Sequence, residues 1–177
     1  MRMTITLLAA LSPITAVAQA DTMSAAIASL EAGVICPPPT VGSTPAPGTL
    51  AGTTHLIEDE PPFVSPSQRV PAVIGIGFGI KSMATDPFGL QDVTITVTHP
   101  PMGPTAATTQ SFQTRIDGTA PSLTFYQFDF DYELVQGPWQ MQAEKDGEIL
   151  FTTSFDVVAP QAAPDLARVC GFEELLS

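Results

Sequence analysis

Trp139–Val158 reads WQMQAEKDGEILFTTSFDVV, and this stretch decides the fold. In its first half Trp139, Met141 and Ala143 alternate with Gln140, Gln142 and Glu144. Successive strand side chains point to opposite faces, so this alternation predicts a half-buried strand. The second half, Glu148–Val158, carries Ile149, Phe151, Phe155 and Val157 as its expected inward line. Between the halves lies Asp146-Gly147. A two-residue hairpin turn needs positive φ at both positions, which Asp-Gly accepts. Residues 138–145 and 148–158 are therefore expected to pair antiparallel.

The same reading extends towards the N-terminus. Asp92–Thr98 (DVTITVT) alternates strictly, with Val93, Ile95 and Val97 on one face. Leu123–Leu134 (LTFYQFDFDYEL) is rich in aromatics and reads as one long strand, its Tyr126, Tyr132 and neighbouring rings expected in the core. Val70–Ile80 (VPAVIGIGFGI) reads as an apolar strand, Thr109–Ile116 as a weaker one, and Thr53–Ile57 as an edge strand. Strands at short spacing with no alternating helices point to an antiparallel sandwich. Ten phenylalanines suffice for one core, each worth about 2–3 kcal/mol when fully buried.

The flanks read differently. Residues 1–20 (MRMTITLLAALSPITAVAQA) have a basic start, a short apolar run and Ala18-Gln19-Ala20. That is the pattern of a signal peptide cleaved after Ala20, and the run is too short to span a bilayer. The expected location is periplasmic or secreted, with no membrane insertion after cleavage. The segment 21–68 is read as a short helix over Asp21–Glu31, favoured by its alanines, followed by a Pro/Gly-rich arm. Proline removes a backbone donor, so the arm is either extended or a disordered linker over 37–52. The sandwich is expected over 69–158. APQAAP then breaks the last strand, and 159–177 forms a tail with a turn or two of helix. Cys36 and Cys170 are the only cysteines. In an oxidising compartment they are expected to pair and tie the tail back. The loop closed would be worth about 5 kcal/mol in the chain-entropy picture.

The order GIGFG (75–79), THPPMGP (98–104), YQFDFDYELVQGPW (126–139) and DGEILFTTSFDVV (146–158) resembles a bacterial family defined by a domain of unknown function. The resemblance covers about residues 69–158. It implies an all-β, immunoglobulin-like domain, often behind a signal peptide. It implies no activity and transfers no site residues.

Eighteen acidic residues against six basic ones give a net charge of −12, which argues against nucleic acid as a partner. The glycines at 75–79 before Lys81-Ser82 miss the spacing of a phosphate loop, because Ile80 intervenes. Only His55 and His99 could serve metal or triad chemistry, and no H-E-x-x-H or G-x-S-x-G pattern is present. No cofactor or metal is expected. Asp129, Asp131 and Glu133 read as a solvated strand face, with calcium as the alternative. His99 before Pro100-Pro101 reads as a stiff strand exit, its imidazole capping a backbone carbonyl. The expected function is a non-enzymatic module binding a protein or envelope component through the 98–106 loop, with His99, Pro100 and Pro101 as contacts. The alternatives are a small hydrolase using His99 with nearby carboxylates, and an assembly role through an exposed strand edge.

Overall fold

A computed structural model describes residues 21–176. The expected signal peptide lies outside the described residues. Two sheets pack face to face. The larger holds β1 (Thr22–Met23), β11 (Glu148–Val158), β10 (Gly137–Lys145), β7 (Leu90–Met102) and β8 (Ala107–Ile116) in that order. β5 (Arg69–Pro71) also pairs with β11, and it does so in parallel. The smaller sheet has β2 (Ile27–Ile35), β6 (Gly77–Ala84) and β9 (Ser122–Gln127). β3 (Thr40–Pro45) and β4 (Thr53–Ile57) form a separate two-stranded ribbon. The expected all-β sandwich is what the structure shows.

The deciding hairpin forms as read. Asp146 and Gly147 have φ of 51° and 82°, and Trp139 pairs with Phe155. Trp139, Met141 and Ala143 are all buried. Ile149 departs from the reading and is exposed. The register shifts next to Ala143, leaving Leu150 as the extra residue of a bulge. The bulge reverses the alternation, so Leu150 turns in and Ile149 out. The core joins both sheets: Phe78 of β6 meets Trp139 of β10 edge-on at 5.6 Å and Phe155 of β11 at 4.8 Å.

Three other expectations are corrected. Asp21–Glu31 is not a helix: β1 pairs with β11, and β2 pairs with β6 from Ile27 to Ile35. Alanine propensity is worth tenths of a kcal/mol, and the ladder with β6 overrides it. Val70–Ile80 is not one strand. Gly75 takes a φ of 86° between β5 and β6 and breaks it. Leu123–Leu134 stops being a strand at Gln127, and a 3-10 turn follows at Asp131–Glu133. The tail forms α1 (Pro164–Cys170), and Cys170 is bonded to Cys36 as expected.

Candidate functional site

One side of the sandwich is left open. The larger sheet continues out to β8, whereas the smaller one stops at β9. Inner-face side chains Val97 of β7 and Gln110, Phe112 and Thr114 of β8 therefore extend past the last strand of the opposite sheet. They line a half-open cavity of about 200 Å³. Leu123–Gln127 of β9 line it too, and the ribbon tip, Thr49–His55, closes its far side.

The ribbon tip is seated by backbone. Ser111 N–H of β8 donates to the carbonyl of Gly48 at 2.9 Å. Only glycine fits there, because a Cβ would run into the Ser111 carbonyl. Leu50 N–H donates to Gln110 Oε1 at 2.7 Å. Among the described residues, β3 and β4 pair only with each other, so the ribbon holds to the sandwich mainly through its tip and His55.

Gln110 is the centre of a buried polar chain. Its Nε2 donates to His99 Nε2 at 3.3 Å and to the Tyr126 hydroxyl at 3.2 Å. Tyr126 in turn donates to Glu133 Oε1 at 2.6 Å. Glu133 Oε2 accepts the backbone N–H groups of Asp129 and Phe130 at 2.6 and 3.0 Å. The 3-10 turn carries Glu133 back beneath the strand end and so makes this possible. Burial raises the Glu133 carboxyl above its ordinary value, against the pull of these donors. Burial also raises the Tyr126 phenol, helped by the neighbouring Glu133 charge. Buried polar groups paired in this way fix one arrangement of the core.

A second cluster faces the cavity mouth. His55 Nε2 lies 2.7 Å from Asp129 Oδ2, joining ribbon to sandwich. Gln127 Nε2 donates to Asp129 Oδ1 at 3.0 Å. Gln127 Oε1 is buried and without a hydrogen-bond partner in the protein.

The residues singled out in the sequence are placed as follows. His99 is 3% exposed and lies within β7, which runs on to Met102, so the expected 98–106 loop shrinks to the turn after it. Its Nδ1–H donates to the Pro100 carbonyl at 2.9 Å, the carbonyl-capping geometry read from sequence. Burial lowers its pKa below the ordinary histidine value. The ring lies 4.8 Å from that of Trp139. His99 therefore supports the site from beneath. Pro101 is exposed and Pro100 half-buried. Neither lines the cavity: Pro100 lies beside Gly137 at the start of β10, where a Cβ on Gly137 would be 3.2 Å from the proline ring. Tyr132 is not in the core: it stacks on Phe130 at 5.2 Å and 6°, and Phe130 is 45% exposed.

Asp129, Asp131 and Glu133 do not share a strand face. Among the described residues, no group of three or more His, Cys, Asp or Glu is placed to hold a metal ion. Nor is any helix there long and apolar enough to cross a membrane. The glycines at 75–79 lead into β6, where Gly79 lets the β9 backbone approach closely. The His55–Asp129 contact spans 74 residues and the Gln110–Tyr126 contact 16. Neither leaves a local signal in the sequence. The one available hint was polar residues on alternating lines that ought to be apolar.

No curated protein matches the sequence. Among solved structures, the chain is similar to an immunoglobulin-like protein from Pseudomonas aeruginosa, with 18% identity and a TM-score of 0.49, over 79% of this chain and 98% of that one. Residues 24–157 match the domain of unknown function DUF3859, a span that takes in β2, the ribbon and the sandwich up to β11. The chain belongs to the DUF3859 family.

Proposed function

We propose that this protein is a non-enzymatic binding module of the periplasm or extracellular space. Its ligand is a protein or envelope component seated in the cleft between β8, β9 and the ribbon tip. The carrying observation is the stretch of inner face left uncovered beside β9, with a cavity of about 200 Å³ over it. Clefts of this kind, lined by apolar groups and a few placed polar ones, are the usual form of a binding site. Neither Pro100, Pro101 nor the Phe130–Tyr132 stack lines that cavity. His99 is reassigned from contact to support. Both its ring nitrogens are engaged inside the protein, which weighs against a hydrolase built on it. The location is supported by the disulfide and by the pattern of residues 1–20.

Site-specific photo-crosslinking in the source cells tests this reading. A photoreactive residue at Phe125 or Thr114 should give a discrete adduct. The same group at Ile149, which is exposed on β11 three strands from β8, should not. Adducts from Ile149 alone, or from none of the three, overturn the reading.

A further inference from the structure

We propose that the occupant of the cleft is an extended polypeptide segment that adds to β9 as a fourth strand of the smaller sheet. The inference rests on the binding-module reading and specifies the form of the ligand.

The backbone directions of β9 carry it. Phe128 N–H donates to the Ile76 carbonyl at 3.1 Å, on the side of β6. Backbone groups of successive residues point to opposite sides of a strand. Leu123, Phe125 and Gln127 therefore present N–H and C=O away from β6, into the cleft. Among the described residues no strand pairs with that edge. β9 also lacks the usual devices that block strand addition: it has no proline, no lysine and no charged side chain.

The floor beyond this edge suits a strand. Phe112 and Thr114 extend under the empty position, and the larger sheet already reaches beneath it. Alternate side chains of an added strand would descend onto them, as in any sandwich. The cavity holds roughly two or three side chains of valine size, by the usual packing density of interiors.

The lining sets the polarity. Asp129 and Glu133 border the cavity, and no lysine or arginine does. Gln127 lines the cavity beside them. Antiparallel addition, the more stable pairing, brings the ligand's N-terminal end to Gln127 and Asp129. The segment expected is thus β-prone and apolar on alternate residues, with lysine or arginine at its N-terminal end.

The test uses the mature chain and the peptide acetyl-Lys-Thr-Val-Thr-Val-Thr-amide, followed by amide hydrogen exchange in NMR. Main-chain pairing tolerates sequence, so a generic strand at about 1 mM or more should occupy the site measurably. The amides of Leu123, Phe125 and Gln127 should slow by about tenfold or more, whereas those of Thr124 and Tyr126, already bonded to β6, should not change. A peptide N-methylated at alternate residues, blocking the donors towards β9, should lose the effect. Unchanged exchange at the three amides, or equal binding of the methylated peptide, overturns strand addition. Crosslinks at Phe125 without amide protection would leave the binding module standing and remove only this inference.

Discussion

Gln110 Nε2 lies 3.3 Å from His99 Nε2, and this contact fixes the state of the imidazole. The amide nitrogen is a donor only, so the ring nitrogen facing it must accept. The other nitrogen, Nδ1, then carries the hydrogen and gives it to Pro100. The assignment follows from the network as a whole, since Gln110 Oε1 is committed to Leu50 N–H.

Protonation would place two donors face to face in a buried site. The folded-state pKa of His99 lies below its ordinary value because burial penalises the charge. A depressed pKa contributes stability above the unfolded value that is lost as pH falls through the folded one. The protein should therefore lose stability on acidification below about pH 6.5. His99→Gln, which keeps a donor and an acceptor, should remove that part of the slope. Urea midpoints at about pH 7.5 and about pH 5.5 measure it. Equal slopes in both proteins would count against the buried neutral imidazole.

Tyr126 supplies the next link in the chain. Its hydroxyl accepts from Gln110 and donates to Glu133. Tyr126→Phe keeps the ring packed on Trp139, at 5.2 Å, and removes only the oxygen. Glu133 Oε1 is then left without its donor, which should cost about 1–3 kcal/mol. Glu133→Gln in the same background should cost less than it does in wild type, because the carboxylate has already lost that partner. A double-mutant cycle measures the coupling, and additivity of the two changes would refute the link.

The disulfide holds the tail to the end of β2. Reduction should raise the intact mass by about 2 Da, the two hydrogens gained. Cys36→Ser/Cys170→Ser should lower stability by about 2–5 kcal/mol, the usual range for a native bridge. Calorimetry of the oxidised chain and the double variant decides it.

Strand existence was legible wherever two-fold alternation met a turn signal, as at Trp139–Lys145 and Asp146-Gly147. It failed where only tertiary pairing decides. Ala28 and Leu30 favour helix locally, yet β6 recruits Ile27–Ile35 as a strand. Phe128, Phe130 and Tyr132 continue the alternation of β9 on paper. The chain instead turns at Asp131–Glu133 to bury one carboxylate under Tyr126. That exchange costs a strand and gains a closed polar network, which a residue pattern cannot weigh. The disulfide was legible from compartment and count. The cleft was not, because it consists of a strand that is missing. Sheet sizes are set by which partners find each other, and no single segment of sequence records an unfilled position.

The ribbon tip yields the last prediction. Gly48 touches Ser111 so closely that any Cβ would strike the Ser111 carbonyl. The backbone of β8 is held in a ladder with β7, where Ser111 pairs with Thr96, so it cannot retreat. The ribbon must give way instead. Gly48→Val should lift the tip, break the Ser111 N–H bond to residue 48 and lengthen the bond from Leu50 N–H to Gln110 Oε1. Of the ribbon, Leu50 packs against the edge of the sandwich core, whose centre at Phe78 and Trp139 is built from the two sheets and should stay intact. The near-ultraviolet circular dichroism of Trp139 should thus be unchanged, while protease cleavage between residues 40 and 57 accelerates by about tenfold or more, tracking the population of the opened form. A variant that loses core dichroism together with ribbon protection would show that the ribbon is structural rather than a separate cover. Unaltered cleavage would show that Gly48 is not what seats it.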